Sequence, residues 1–349
     1  MIDMEKLPFR FSGNNVDVYF SCEMDRMDTY ADSHNLIYVT DENLYTHYAR
    51  KFPLGKTIIL PSGEEHKTQG TVNKAIDELM IMGAGRDSFI VGVGGGIVTD
   101  VAGYLASIYM RGIRFGFVPT SILAMVDAAI GGKNGINVGL FKNQIGVIRQ
   151  PQFLCYDFKM LKTLSSDEWI SGFAEIIKHA CIADEQMFDF LEKHTINDFK
   201  KDERMIADLV QKNVNIKYSI VSSDEHENGH RRLLNFGHTI GHAIEQISEL
   251  PHGFAISIGM VYACKISEKL NGFDSRLSER VTRLLQRYLL PVKWPLNKEQ
   301  AWEILLHDKK KTGDHLHFIL LEDIGKGVVS KIYLSELKQL FFELDTLTA

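Results

Sequence analysis

The sequence has little cysteine, no excess of basic residues and no long apolar run. Its 349 residues include four cysteines without a Cys-x-x-Cys pair, which predicts neither a disulfide framework nor a cysteine-rich zinc site and suits a reducing cytoplasm. With 39 basic and 45 acidic residues, the formal net charge is −6. This charge argues against nucleic acid as a partner, because binding to a phosphate backbone usually requires a basic excess. The most apolar stretch, residues 113–132, is interrupted by Arg114, Pro119 and Asp127, so no membrane span is expected.

The periodicity of apolar residues divides the chain near residue 160. In the first part, short apolar runs at 36–40, 56–60 and 88–93 alternate with helical spacing over 68–82. This β-α-β order predicts a parallel sheet covered by helices. From about residue 165 onward the spacing is mainly helical. We therefore expect an α/β N-terminal domain over residues 1–160 and a mainly α-helical C-terminal domain over residues 161–349.

A glycine-rich segment follows one of the predicted strands. Gly94, Gly95 and Gly96 connect the strand to a predicted helix, where glycines let the backbone approach a phosphate and the helix N-terminus offers free N–H groups. The spacing is not G-x-G-x-x-G, because Thr99 occupies the third glycine position. Taken alone, the segment fits dinucleotide binding and a tight strand-to-helix turn equally well.

Histidines and one carboxylate indicate a metal site. His238 and His242 are four residues apart and therefore share one face of a predicted helix. His252 follows in a loop, and Glu175 is a carboxylate within an otherwise apolar helix. A single histidine would be explained by a structural imidazole in the core as well as by a metal ligand. Three histidines and a half-buried carboxylate favour a catalytic metal, which needs about three protein ligands and an open position.

Two lysines stand in apolar surroundings. Lys133 follows two glycines in an apolar run, and Lys178 lies one helical turn beyond Glu175. A half-buried ammonium requires a neighbouring anion, whereas each of the other cations can be a solvated surface charge. Those other cations are Arg111, Arg114, Lys142, Lys217, Arg231 and Lys309 to Lys311. In a chain of negative net charge, the cations together predict a pocket for a small polyanion.

The motifs occur in an order that is known from one enzyme family. They lie at residues 62–67, 94–100, 109–112, 118–120, 126–127, 131–133, 142–143, 174–178, 235–242, 252–253 and 308–310. In this order, over residues 36–325, the sequence resembles the sugar-phosphate cyclases, and among them the 3-dehydroquinate synthase family. The resemblance implies an N-terminal Rossmann-like NAD-binding domain, a mainly helical metal- and substrate-binding domain, and a homodimer.

The resemblance also implies an activity. Members of this family are carbon–oxygen lyases of the shikimate route that depend on NAD and on zinc or cobalt. They convert 3-deoxy-D-arabino-heptulosonate 7-phosphate to 3-dehydroquinate and phosphate. The conversion combines a transient oxidation by NAD, elimination of phosphate, re-reduction and an intramolecular aldol closure.

The family's functional residues can be carried over one position at a time. The metal is assigned to Glu175, His238 and His252, so that His242 faces the substrate instead. NAD is assigned to Asp41, Glu64, Lys67, Gly95, Gly96, Asp100, Thr120, Ser121, Lys142, Thr163 and Glu168. Substrate binding is assigned to Lys133, Asn143 and Lys310 for the phosphate, to Arg111 from the neighbouring subunit, and to Lys217 and Arg231 for the carboxylate. Catalytic roles around the reacting hydroxyls are assigned to Asp127, Lys133, Lys178, Asn235 and His242.

Three alternatives to this interpretation remain open. A metal-dependent NAD alcohol dehydrogenase of the glycerol dehydrogenase type would lack a phosphate pocket, and Lys133, Asn143 and Arg111 argue against this alternative. A sister cyclase acting on another sugar phosphate is disfavoured by Lys217, Arg231 and Asn235, which suit a substrate carboxylate. A non-catalytic nucleotide-binding protein would have lost catalytic positions, and none of those named is missing.

Overall fold

The computed structural model describes residues 6–20, 22–139, 141–306 and 311–344. The chain forms two compact units. The first unit runs to Ser165 and also contains Ala207–Glu225, while the second comprises Ser166–Ile206 and the residues from His226 onward. The second unit is thus interrupted by one segment of the first, which periodicity along the chain does not reveal.

Most of the strands belong to the first unit. The strands are β1 (Lys6–Arg10), β2 (Asn15–Phe20), β3 (Leu36–Asp41), β4 (Thr57–Leu60), β5 (Phe89–Gly94), β6 (Arg114–Pro119), β7 (Lys133–Val138), β8 (Phe141–Ile148), β9 (Phe153–Tyr156), β10 (Lys311–Thr312), β11 (His315–Asp323) and β12 (Lys326–Tyr333). Seven of them form one sheet in the order β1-β2-β9-β6-β5-β3-β4. All neighbours in this sheet are parallel except β1 and β2. The predicted parallel α/β architecture is confirmed.

The antiparallel hairpin of β7 and β8 lies apart from this sheet. The sequence did not predict it, because nearly all side chains of β8 are exposed and the strand lacks an alternation of buried and exposed positions.

Helices occur in both units. They are α1 (Met27–Ala31), α2 (Glu42–Tyr48), α3 (Gln69–Ile81), α4 (Gly96–Ile108), α5 (Ser166–Ala183), α6 (Glu185–Lys193), α7 (Ile196–Lys201), α8 (Glu203–Ser223), α9 (His238–Ser248), α10 (His252–Leu270), α11 (Ser275–Arg287), α12 (Lys298–Leu306) and α13 (Leu334–Glu343). Among the described residues, every helix is too short or too polar to cross a bilayer.

Helix α4 packs closely against the sheet of the first unit. Its buried face includes Val98, Val101 and Leu105. A Cβ on Gly92 of β5 would lie 2.9 Å from the Cβ of Ala102. The absence of a side chain at Gly92 therefore allows α4 to lie directly on β5, and this contact fixes the glycine-rich connection between them.

Helices α5, α9 and α10 pack together in the second unit. A Cβ on Gly253 would clash with the carbonyl oxygen of Ser171 in α5, and one on Gly259 would clash with the carbonyl oxygen of Gly237, just before α9. Two glycines of α10 thus permit close approach to both neighbouring helices. The N-termini of α9 and α10 are in this way brought next to the middle of α5.

The structure contains one disulfide, between Cys22 and Cys155. The expectation of no disulfide framework was therefore wrong for this pair. The parallel register of β2 with β9 places Tyr19 opposite Cys155, and Cys22 follows β2 closely enough for its N–H to donate to the carbonyl of Tyr156 at 3.2 Å. The Cα atoms are 5.8 Å apart, within the usual range for a disulfide. The two cysteines are 133 residues apart in sequence, so their spacing gives no indication of the pairing.

Candidate functional site

The three side chains that the sequence assigns to a metal converge in the second unit. Glu175 lies in the middle of α5, whereas His238 and His252 are the first residues of α9 and α10. The expectation that His252 lies in a loop was therefore wrong, because α10 begins directly after Pro251. Glu175 Oε1 is 3.6 Å from His238 Nε2 and 3.5 Å from His252 Nε2. Ligands bound to a tetrahedral zinc at about 2.0–2.1 Å lie about 3.3–3.4 Å apart. The three side chains are therefore spaced as ligands of a single ion.

The carboxylate of Glu175 provides the test of whether a metal fits. Both of its oxygens are buried: Oε1 faces the two imidazoles, and Oε2 is paired with the Lys178 ammonium. Burial raises the pKa of Glu175, but the Lys178 ammonium paired with Oε2 and the two imidazoles hold it well below its usual range. A buried carboxylate requires such compensation. One carboxylate with two imidazoles is also a donor set that suits zinc or cobalt, so the residues fit a divalent ion.

Each imidazole is oriented through its other ring nitrogen. His238 Nδ1 lies 3.1 Å from the carbonyl oxygen of Phe236, and His252 Nδ1 lies 3.3 Å from Glu245 Oε2. Burial lowers the pKa of His252, but the carboxylates of Glu175 and Glu245 outweigh burial and raise it to about 10. A metal ion that binds here has to displace the proton of His252, so acid opposes metal binding.

Three more predicted residues lie near this cluster in sequence or space. The exposed ring of His242 has its centroid 5.1 Å from that of His238 and 6.0 Å from that of His252. Asn235 donates through Nδ2 to Glu227 Oε1 at 2.6 Å, just before α9. Arg231 is buried in the same segment. His238 and His242 share a helix face as predicted, while Glu227 was not anticipated.

The first unit positions the glycine-rich segment at the carboxyl ends of two parallel strands. β5 ends at Gly94, and the N–H of Thr120, just after β6, donates to the carbonyl of Gly94 at 2.9 Å. A Cβ on Gly95 would lie 3.5 Å from Ser121 Oγ, and one on Gly96 would lie 3.1 Å from the Cβ of Ala128. The segment therefore meets Thr120 and Ser121, and such a strand-edge position with a helix N-terminus is where open α/β sheets bind dinucleotides.

Charged side chains surround this edge of the sheet. Lys67 is buried, and its Nζ lies 2.5 Å from Asp100 Oδ2 and 2.6 Å from Asn143 Oδ1. Burial raises the pKa of Asp100 above its usual range, although Lys67 opposes this shift. Glu64 accepts a hydrogen bond from Asn137 Nδ2 at 2.8 Å. The sequence assigned Lys67 and Asp100 to the cofactor and Asn143 to the phosphate, and the structure joins the three.

The remaining predicted residues include one helix cap and five exposed side chains. Asp41 ends β3 and accepts from the N–H of Leu44 as the N-cap of α2, at 2.9 Å. Arg111, Lys133, Lys142, Thr163 and Glu168 are exposed. Lys310 lies outside the described residues.

Two predicted residues of the first unit form an ion pair. Lys217 of α8 is buried, and its Nζ donates both to the carbonyl oxygen and to Oδ1 of Asp127, each at 2.6 Å. The sequence assigned Lys217 to the substrate carboxylate and Asp127 to a reacting hydroxyl. In the structure, these two hydrogen bonds fix the side chains of Lys217 and Asp127 relative to each other.

The sequence missed one residue of the metal cluster. Glu245 contacts His252 directly and lies seven residues after His238 on α9. Spacings of four and seven place His242 and Glu245 on the same helix face as His238. This spacing was the signal that could have identified Glu245.

Solved structures of other proteins share this architecture. The structure of 2-deoxy-scyllo-inosose synthase complexed with carbaglucose-6-phosphate, NAD+ and Co2+ is 26% identical, has a TM-score of 0.84 and covers 97% of this chain and 100% of that one. The structure of 2-epi-5-epi-valiolone synthase from Streptomyces hygroscopicus is 24% identical and has a TM-score of 0.86. It covers 97% of this chain and 98% of that one. The fold of this chain is therefore the fold of these sugar-phosphate cyclases.

The family within this class follows from sequence comparison. Residues 57–171 match the model of the 3-dehydroquinate synthase N-terminal region, and residues 172–311 match that of the C-terminal region. A 3-dehydroquinate synthase of Pyrococcus abyssi is 43% identical over 273 residues, which are 77% of this chain and 79% of the relative. A 3-dehydroquinate synthase of Thermoanaerobacter pseudethanolicus is 39% identical over 306 residues, which are 84% of this chain and 86% of the relative. The chain belongs to the 3-dehydroquinate synthase family, which confirms the resemblance seen in the motifs.

Proposed function

We propose that this chain is a carbon–oxygen lyase that converts 3-deoxy-D-arabino-heptulosonate 7-phosphate to 3-dehydroquinate and phosphate, with NAD and a divalent metal ion. The observation that carries the proposal is the buried carboxylate of Glu175 beside His238 and His252, in a chain of this family. When bound, zinc or cobalt supplies a charge that polarises substrate oxygens, and NAD supplies a reversible hydride acceptor.

The second unit supplies the metal ligands and two groups for proton transfer. Glu175, His238 and His252 hold the ion. Lys178, whose ammonium pairs with Glu175, keeps a positive charge where a hydroxyl loses its proton. His242 has an exposed imidazole beside the ligands and holds or releases the proton of a substrate hydroxyl. Asn235, oriented by Glu227, fixes a hydroxyl by hydrogen bonding.

The first unit supplies groups for the cofactor and for anions. We assign NAD to the glycine segment with Thr120 and Ser121, to Asp100 with Lys67, and to the remaining members of the set carried over from the family. The phosphate is assigned to Lys133, Asn143, Lys310 and Arg111. We assign the substrate carboxylate to Lys217 and Arg231, and the proton of a reacting hydroxyl to Asp127.

The proposed homodimer is supported by exposed apolar side chains on the β7–β8 hairpin. Phe141 is 59% exposed, and Val138, Ile145 and Ile148 are also exposed. Clustered apolar side chains on a surface mark interaction sites, and the occupant that we propose is a second copy of this chain. Sedimentation velocity should give a dimer for the natural chain and a monomer for Phe141→Lys with Ile145→Lys. Leu54→Lys, at another exposed apolar position, should remain dimeric.

We also infer that the protein works in the cytoplasm, where the relatives' biosynthetic reaction belongs. The disulfide between Cys22 and Cys155 is uncommon in that compartment, except in hyperthermophiles. Cell fractionation tests the compartment, and thiol trapping in intact cells tests whether Cys22 and Cys155 are bonded there. Recovery of the protein from the periplasm or the medium would contradict this inference.

The proposed activity is tested by phosphate release from the heptulosonate phosphate. The assay contains catalytic NAD and zinc, with a chelator-treated sample as control. We expect many phosphates released per NAD, loss of release with chelator, and recovery on addition of zinc or cobalt. Release from glucose 6-phosphate instead would indicate a sister cyclase. Accumulation of NADH from a simple alcohol without phosphate release would indicate a dehydrogenase.

A further inference from the structure

The carboxylate of Glu245 stands behind one of the proposed metal ligands. Its side chain is only 10% exposed, and its Oε2 lies 3.3 Å from His252 Nδ1. On the opposite side of the same ring, His252 Nε2 lies 3.5 Å from Glu175 Oε1. The imidazole of His252 is therefore held between two carboxylates, one at each ring nitrogen.

The two carboxylates face the ring in different ways. Glu175 also lies 3.6 Å from His238 Nε2 and so faces both ligand nitrogens. Glu245 contacts His252 at Nδ1, the ring nitrogen on the side away from Glu175. A neutral imidazole carries one proton, and a hydrogen bond from Nδ1 leaves the lone pair of Nε2 available to a metal.

His238 obtains the same orientation without a side chain. Its Nδ1 lies 3.1 Å from the carbonyl oxygen of Phe236, which is fixed by the local backbone. His252 is the first residue of α10, and its Nδ1 contacts Glu245, which belongs to α9. Glu245 thus connects His252, the proposed ligand at the start of α10, to α9, the helix that carries His238.

We propose that Glu245 is a positioning residue of the metal centre, whose carboxylate accepts the Nδ1–H of His252 and keeps Nε2 directed at the ion. The inference rests on the proposed metal centre but not on the identity of the substrate. Removal of such a partner typically lowers metal affinity about 10- to 100-fold.

The test compares metal binding by Glu245→Ala and Glu245→Gln with that of the natural chain. Affinities for zinc and cobalt are measured by competition with a chelating indicator, and the visible spectrum of the cobalt form reports the donor atoms. We expect Glu245→Ala to bind both metals about 10- to 100-fold more weakly. Glu245→Gln should retain most of the affinity, because its amide oxygen can still accept the Nδ1–H. The cobalt spectrum should keep its shape, because no donor atom changes.

Glu249→Gln is the matched control. It removes the same charge from an exposed position at the end of α9, and its metal affinity should equal that of the natural chain. NAD affinity and the thermal midpoint of the metal-free protein should be alike in all variants.

Two results would overturn the proposal. The first is unchanged metal affinity in Glu245→Ala, which would leave Glu245 without a role at the centre. The second is equal loss in both Glu245 variants with an altered cobalt spectrum, which would make Glu245 a ligand, as its closeness to His242 and His252 also permits. Neither measurement uses the substrate, so failure of the proposed lyase activity would not affect the outcome.

Discussion

Lys217 donates two hydrogen bonds to Asp127, one to the backbone carbonyl and one to the carboxylate, both 2.6 Å long. The Lys217 side chain is 8% exposed and that of Asp127 is 21% exposed, so the pair is shielded but remains within reach of a small ligand. The Lys217 ammonium, which we propose as a partner of the substrate carboxylate, is thus held in place by Asp127.

Replacement of Lys217 should weaken the substrate far more than the cofactor. Hydrogen bonds to charged groups contribute about 1.5–3 kcal/mol, so Lys217→Ala should raise the KM for the heptulosonate phosphate by about one to two orders of magnitude. NAD affinity, measured by titration calorimetry, should change less than about threefold. Equal losses for substrate and NAD would contradict the assigned role of Lys217.

Loss of His252 should remove the metal. His252→Ala leaves Glu175 and His238 as two ligands, fewer than the three that catalytic zinc sites use. We expect less than one metal per chain by elemental analysis and no phosphate release, with NAD affinity unchanged. Full activity with one bound metal would exclude His252 from the ligand set.

Arg111 is expected to act on the neighbouring subunit. It is exposed and stands at a φ of 66°, next to Met110 at 49°, in a turn that costs backbone strain. Arg111→Ala and His252→Ala should each be inactive alone. Mixed dimers should regain activity, because one site then receives its arginine from the His252→Ala chain and keeps its own metal ligands. Mixtures that stay inactive after subunit exchange would place Arg111 in its own subunit's site.

Asp100 should make the stability of the protein depend on pH. Burial raises the pKa of Asp100, despite the opposing effect of Lys67, so the folded chain retains this proton to a higher pH than the unfolded chain does. The stability that the protonated group contributes is fully present below about pH 3.9, the unfolded value, and is lost as the pH rises through the folded value.

Urea unfolding at a series of pH values checks this sign. The midpoint of the natural chain should fall relative to that of Asp100→Asn as the pH rises from about 4. If the urea midpoint of the natural chain rose relative to that of Asp100→Asn over this range, the pKa of Asp100 in the folded chain would be lowered instead.

The disulfide between Cys22 and Cys155 should be visible as a thiol count. Denatured protein without reductant should expose two thiols, from Cys181 and Cys264, and reduced protein should expose four. Cys155→Ser should lower the free energy of unfolding by about 2–4 kcal/mol, since it opens a loop of 133 residues. Four thiols in unreduced protein would contradict the pairing.

Local patterns in the sequence predicted local structure well. Glu175 and Lys178 stood out because they are charged residues in an apolar helix, and the structure buries both in α5. The helical spacing over residues 68–82 agrees with α3. These features depend on neighbours within one or two helical turns, which periodicity samples directly.

Contacts between distant residues were not predictable in this way. The pairs Lys217–Asp127 and Cys22–Cys155 join residues separated by 90 and 133 positions, and each depends on how whole elements pack. The β7–β8 hairpin was missed because an exposed strand leaves no alternating pattern. Glu245 was overlooked although it shares a helix face with His238, because its contact with His252 forms only when α10 places His252 beside it.

The account depends most on coupling between the metal centre and hydride transfer in one catalytic cycle. A single-turnover experiment with the heptulosonate phosphate, following the absorbance of reduced nicotinamide and the release of phosphate together, tests this directly. We predict a transient rise and fall of that absorbance that accompanies phosphate release, and loss of both signals in the chelator-treated enzyme. Phosphate release at an unchanged rate from enzyme without metal, or without any nicotinamide signal, would contradict the account.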